Sequence, residues 1–86
     1  MGINYAHLRG LTAREMMSAL IRDGFVLDRQ HNRGGSHQQY RHPDGRRVTV
    51  TFHAPGTTFN PKTLKTMIET QAIWTAEDLR RLKIMR

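Results

Sequence analysis

The stretch that decides the fold is Ser36-His37-Gln38-Gln39-Tyr40-Arg41-His42-Pro43-Asp44-Gly45-Arg46-Arg47-Val48-Thr49-Val50-Thr51-Phe52. Its second half alternates apolar and polar residues, which is the pattern of a strand with one buried face. Pro43-Asp44-Gly45 is a turn signal that separates this strand from a less apolar one before it. We therefore predict two antiparallel strands, over 36–42 and 46–52.

A third strand precedes these two. Phe25 and Leu27 alternate with Val26 and Asp28, and this predicts a strand over 25–31. The glycines at 34 and 35 predict the turn that follows it. Short turns between three consecutive strands indicate an antiparallel meander.

Helical signals lie on both sides of the strands. Thr12 and Glu15 form a capping box, and the apolar residues at 16, 17, 20 and 21 lie on one stripe of a helix that Gly24 ends. This helix is predicted over 13–23. After a loop at 53–60, Asn60 and Pro61 begin a second helix. Its predicted buried stripe consists of Leu64, Met67, Ile68 and Ala72.

Thr75 caps a last short helix that directs Leu79 and Leu82 inward, whereas the N-terminus around His7 is expected to be frayed. The order predicts an α+β fold: a two-layer α-β-β-β-α(-α) sandwich whose helices cover one face of a three-stranded antiparallel sheet. With 86 residues, the chain is expected to form a single domain over 1–86, with its core in 11–82.

The composition points to a polyanionic partner. Lys and Arg number 14 against 7 Asp and Glu, which gives a net charge of +7. Nucleic acid, anionic lipid and an acidic protein are the candidates. A membrane-surface role is disfavoured because the basic residues are not gathered on one amphipathic helix. We find no targeting or membrane-spanning segment, so the expected location is cytoplasmic with no membrane partner.

Strand parity predicts which side chains face away from the helices. Val48, Val50 and Phe52 should face the core, and Tyr40, the large apolar residue of the middle strand, should join them with Gln38 and His42. The opposite side, here called the outer face, is then formed by His37, Gln39, Arg41, Arg47, Thr49 and Thr51. A bulge near the glycines at 34 and 35 would instead turn His37 inward.

The histidines allow several interpretations. From spacing alone, His37 is an ordinary exposed strand residue, and a metal site built from His31, His37 and His42 is disfavoured because the spacing is not that of a helical ligand pair. We therefore expect no metal and no cofactor. His53 could assist as a second proton-transfer group.

The motif Gly35-Ser36-His37, followed by Tyr40, a charged turn and a valine-rich strand, resembles the central motif of HicA-type mRNA interferases, which are toxins of type II toxin–antitoxin pairs. Segments at 11–15, 23–25, 63–68 and 75–79 extend the resemblance over about residues 11–82. It implies a fold like that of double-stranded RNA-binding domains, metal-independent cleavage of mRNA by His37, and a HicB-type antitoxin that covers the active site.

On this interpretation the chain is an endoribonuclease in which His37 is a general acid or base, because imidazole, with a free pKa of about 6.5, exchanges protons near neutrality. Arg41 and Arg47 are expected to stabilise the charge of the phosphorane. The full set of expected RNA contacts is Gly35, Ser36, Gln39, Arg41, Arg46 and Arg47. The alternative is a non-catalytic RNA-binding module of the same fold.

Overall fold

The structure is a computed structural model that describes residues 3, 5–28 and 37–84 of the chain. Its elements are α1 (Ala13–Arg22), β1 (Val26–Leu27), β2 (His37–Arg41), β3 (Arg47–Thr51), α2 (Pro61–Lys65) and α3 (Ala76–Arg81). A 3₁₀ helix at Tyr5–Leu8 precedes α1, and a π-helical segment at Thr66–Gln71 continues α2. The strands form one antiparallel sheet in the order β1-β2-β3. The predicted α+β fold and its meander are confirmed.

Helix α1 begins and ends as its sequence indicates. The Thr12 hydroxyl accepts the amide of Glu15, and the Glu15 carboxylate accepts the amide of Thr12. The loop before α2 supplies carbonyls to the next two amides of α1, from Thr57 at 2.8 Å and Pro55 at 3.0 Å. The N–H groups in the first turn of a helix have no carbonyl acceptor within the helix. In α1, the loop carbonyls and the capping box together supply acceptors for these N–H groups.

A Schellman motif ends α1 at Gly24. Asp23 is the C-cap, Gly24 donates to the Ile21 carbonyl, and Phe25 donates to the Leu20 carbonyl. Gly24 has a φ of +102°, and a Cβ on it would lie 3.0 Å from the His42 imidazole. Glycine is therefore required here both by the backbone conformation and by the approach of the β2–β3 turn.

The stripe predicted for α1 is partly wrong. Met16 and Leu20 are fully buried, but Ile21 is 54% exposed. The buried face is completed instead by Ala13 and Ala19. These small side chains let the helix backbone approach the sheet closely. The buried face of α1 is therefore centred on the side of Ala19, and Ile21 lies outside it.

The β2–β3 turn fixes the register of the sheet. The Gly45 amide donates to the His42 carbonyl at 2.9 Å, and the Asp44 carboxylate accepts the amide of Arg46 at 3.0 Å. Beyond this turn, Arg41 pairs with Arg47, and His37 pairs with Thr51. β3 is one residue shorter at each end than predicted. In β1, the residues beyond 28 of the predicted strand lie outside the described part of the chain.

The core lies between the sheet and the helices. Val48 and Val50 are fully buried, Tyr40 is nearly so, and Leu79 and Leu82 face the core from α3 and the residue after it, as predicted. The predicted stripe of the second helix, Leu64, Met67, Ile68 and Ala72, is also buried. Burial of one such large side chain stabilises the fold by roughly 1.5–3 kcal/mol.

Two local features were not predicted. The N-terminal residues were expected to be frayed, but Leu8 is buried, and the Tyr5 hydroxyl donates to the Glu69 carboxylate. The second helix widens into a π-helical turn in which the Ala72 amide donates to the Met67 carbonyl. Ile73 then ends this segment with a φ of +55°. Both features depend on partners distant in the sequence or on packing, which local patterns do not reveal.

Candidate active site

The outer face is arranged in rows across the sheet. Cross-strand pairs of β2 and β3 are His37 with Thr51, Gln39 with Thr49, and Arg41 with Arg47. β1 adds Val26, which pairs with Arg41, and the residue that follows β1, Asp28, donates its amide to the Gln39 carbonyl at 2.8 Å. The six side chains predicted from parity therefore do lie on one face. Histidine stands at one end of this face and arginines stand at the other.

His37 is exposed on this face. Its Nδ1 atom lies 3.2 Å from the Thr51 hydroxyl on the neighbouring strand. Tyr40 is 5% exposed and its hydroxyl donates to Gln38, so the middle strand has the predicted parity. The inward orientation that a bulge would have caused is excluded for His37. Because one ring nitrogen contacts Thr51, the ring has a preferred orientation while Nε2 is the atom available to a substrate.

Arg41 forms an ion pair with a buried carboxylate. Its Nε atom is 3.3 Å from Asp28, whose side chain is 2% exposed, whereas the Arg41 side chain is 52% exposed. Asp28 lies beside Gln39, one row closer to His37 than Arg41 is. The ion pair thus directs the Arg41 side chain along the sheet toward the row of Gln39. Since burying a lone charge is costly, the arginine also offsets the burial of the carboxylate.

Arg46 lies on the other side of the sheet. Its guanidinium group lies 4.9 Å from the centre of the Phe25 ring, donates to the Ala72 carbonyl, and pairs with Asp44 and Asp23. Its contacts therefore join the β2–β3 turn to the helices. Arg46 was expected to contact RNA; besides these contacts it lines, with Arg41 and Arg47, a depression at the arginine end of the sheet, and its contact with RNA stays a prediction.

Asp23 connects three elements from the end of α1. It accepts the indole N–H of Trp74 at 2.8 Å and an N–H of Arg81 at 2.7 Å, and it lies 3.4 Å from Arg46. Burial by itself raises the pKa of this carboxyl. The hydrogen bonds from Trp74 and Arg81 and the nearby arginine charges outweigh burial and lower the pKa below its usual value of 3.8.

Two depressions adjoin the outer face. One, of about 490 Å³, lies at the arginine end and is lined by Val26, Leu27 and residues 41–43 and 45–47. The other, of about 370 Å³, lies between β3 and the second helix and includes Thr49 and Thr51. His37 and its cross-strand partner Thr51 are therefore next to the second depression. The first depression is a basic pocket whose lining also includes the apolar residues Val26 and Leu27.

The sequence prediction of the site was incomplete. Gly35 and Ser36 lie outside the described residues. Asp28 was not recognised as part of the site, although its alternation with Leu27 was a usable signal for the outer face. The contact between the Thr51 hydroxyl and His37 Nδ1 needed the register of β2 and β3, which depends on the geometry of the turn.

Neither a metal-binding cluster nor a membrane-spanning helix occurs in the described residues. Within residues 3, 5–28 and 37–84, no group of three His, Cys, Asp or Glu side chains is placed to hold a metal ion. In the same part of the chain, no helix has the length and apolar character needed to cross a membrane.

The chain matches a known protein family. The family described as "HicA toxin of bacterial toxin-antitoxin" matches residues 13–73, from the start of α1 to Ile73. The match includes all three strands and therefore the whole outer face in the described residues. A comparison with curated proteins found no match.

Proposed function

Because the chain belongs to the HicA toxin family of bacterial toxin–antitoxin systems, we propose that it is an endoribonuclease that cleaves mRNA without a metal ion, with His37 as general acid or base. The observation that carries this proposal is the exposed imidazole of His37 on the same sheet face as Arg41 and Arg47. The net charge of +7 supports a polyanionic substrate.

The chemistry needs little from the protein because RNA contains its own nucleophile. The imidazole of His37 accepts the proton of a ribose 2′-hydroxyl, whose oxygen attacks the adjacent phosphorus. The bond from phosphorus to the 5′-oxygen then breaks, and that oxygen takes a proton from an acid. The products are a 2′,3′-cyclic phosphate and a free 5′-hydroxyl. General acid–base catalysis of this kind contributes about 10²–10⁴-fold in rate.

The arginines have different positions relative to His37. Arg41 is four residues along β2, which is roughly 13 Å at about 3.3 Å per residue. Its ion pair with Asp28 directs it back toward His37, so we assign Arg41 to the charge of the reacting phosphate or its neighbour. Arg47 is directly across from Arg41, and we assign it to a neighbouring phosphate of the same strand. Gln39 lies between the two ends, and we assign it to the ribose.

The family implies a cognate antitoxin. We propose that this antitoxin is of the HicB type and covers the outer face, where acidic groups would pair with Arg41 and Arg47 and block access to His37. Complementary charge speeds such association and fixes its orientation. A purified complex that retains full ribonuclease activity would contradict this arrangement.

The test of catalysis is cleavage of a defined single-stranded RNA in the presence of a chelator. The His37→Ala variant should lose at least about 100-fold in rate, whereas His7→Ala, which removes an exposed histidine of the 3₁₀ helix, should retain the wild-type rate. A substrate with deoxyribose at the cleaved link should remain intact. If His37→Ala stays toxic in cells, the chain acts as a non-catalytic RNA-binding module instead.

A further inference from the structure

A polar groove separates β3 from the second helix. It has a volume of about 370 Å³, near the lower end of the range of about 300–1,000 Å³ that is usual for small-molecule sites. Its polar lining consists of Thr49, Thr51, Lys62, Thr63, Thr66 and Gln71. These side chains offer hydroxyl, amide and ammonium groups within a space that suits one nucleoside.

Gln71 has a defined orientation in this groove. Its side-chain oxygen accepts the backbone amide of Thr49 at 2.8 Å, on the side of β3 that does not pair with β2. This bond uses the oxygen of the carboxamide, so the NH₂ group of Gln71 is the end that can donate to a ligand. The π-helical segment that ends at Gln71 brings this residue to the sheet edge, and such segments are frequent at functional sites.

The groove shares a wall with the proposed catalytic residue. Thr51 lines the groove, and its hydroxyl also lies 3.2 Å from His37 Nδ1. A ligand that fills the groove therefore ends beside the imidazole. Lys62 provides a positive charge on the opposite wall.

The lining favours a polar ligand over a protein side chain. Among the described residues, the large apolar side chains that are exposed are Ile21, Val26 and Ile73, and none of them lines this groove. Val26 lies instead in the basic pocket at the arginine end of the sheet. The groove lining also includes Met67, but this side chain is buried, so the functional groups that the groove presents are those of its polar residues.

We propose that this groove is the nucleoside subsite next to the scissile phosphate, and that it sets the preference for the base at the cleaved link. The inference rests on the proposed function. The threonine hydroxyls and the Gln71 amide hydrogen-bond the ribose and the base edge, and Lys62 attracts the phosphate. The four bases differ in the donors and acceptors along their edges, so these groups pair fully with some bases and only partly with others.

The first test is binding of the four nucleoside 3′-monophosphates, which contain no bond to a 5′-leaving nucleoside and so cannot be cleaved. In NMR titrations we expect the amide shifts of Thr49, Thr51 and Thr66 to move. Gln71→Glu keeps an acceptor for the Thr49 amide but replaces the NH₂ donor with a negative oxygen, so the Kd should rise at least about ten-fold. Thr70→Glu is the control because it adds the same charge at an exposed neighbouring position outside the groove. This variant should raise the Kd less than about two-fold.

Thr66→Val is a second variant that keeps the size of an exposed side chain and removes one hydroxyl; it should also weaken binding. Shifts confined to Arg41 and Arg47, or equal affinities of wild type and Gln71→Glu, would overturn the assignment of the groove.

RNA cleavage separates this inference from the proposed function. If wild type cleaves RNA, His37→Ala does not, and Gln71→Glu has the wild-type KM and base preference, then the subsite is wrong and the catalytic assignment stands. If the mononucleotides bind in the groove but wild type cleaves no RNA, the nuclease proposal is wrong and the groove remains a nucleotide site. A raised KM with an altered base preference in Gln71→Glu supports both.

Discussion

Replacement of Asp23 should reveal how much the contacts at the end of α1 stabilise the fold. Trp74 is 3% exposed, and its indole N–H donates to Asp23. In Asp23→Ala this buried donor would have no partner, at a cost of about 1–3 kcal/mol. The lost pair with Arg81, whose side chain is 52% exposed, adds at most about 1 kcal/mol because solvent screens it. We therefore expect Asp23→Ala to be destabilised by about 1–4 kcal/mol at pH 7.

Asp23→Asn should lose less, about 1–2 kcal/mol, because an amide oxygen can still accept the indole N–H. In urea unfolding, with a slope of about 1–3 kcal/mol per molar, the midpoint should move down by roughly 0.3–2 M. Glu77→Gln, at an exposed position in the first turn of α3, should change stability by less than about 0.5 kcal/mol.

The effect of Asp23→Asn should depend on pH with a definite sign. The folded protein lowers the pKa of Asp23 below 3.8, so the unfolded chain binds this proton more readily than the folded one. The resulting stabilisation is present above about pH 4 and is lost as the pH falls through the folded pKa. The difference between wild type and Asp23→Asn should thus shrink between pH 7 and pH 3. An equal difference at both pH values, or no difference at pH 7, would refute the role given to the carboxylate charge.

Three further predictions concern single positions. Thr51→Val removes the hydroxyl 3.2 Å from His37 Nδ1 and should lower the rate of single-turnover cleavage at saturating RNA by roughly 2- to 12-fold, the equivalent of about 0.5–1.5 kcal/mol; an unchanged rate at saturation would contradict an orienting role. Arg47→Gln should weaken binding to all single-stranded RNAs alike and reduce the salt slope of log K by about 0.7 for one lost phosphate contact; a slope equal to that of wild type would exclude the contact. Ile73→Gly should stabilise the fold by about 0.5–1 kcal/mol in thermal unfolding, because a β-branched residue with a φ of +55° is strained and this side chain is 61% exposed; a lower Tm would show that its packing matters more.

Local sequence determined the helix ends and the inner face of the sheet. The capping box at Thr12, the N-cap at Thr75, the Asn60-Pro61 start and the Gly24 end are all observed where they were predicted. Each depends on hydrogen bonds between residues a few positions apart, so the chain specifies them without knowledge of the rest of the fold. Strand parity likewise placed His37 on the outer face.

Tertiary structure alone decided the contacts that give the site its detail. The pairing of His37 with Thr51 depends on the register set by the β2–β3 turn, and the burial of Asp28 beside Arg41 depends on two strands meeting. Gln71 reaches the β3 edge from 22 residues away. Such contacts join segments that are far apart in the sequence, so no local pattern of residues predicts them. They are stabilised by burial and strand pairing, which exist only in the folded state.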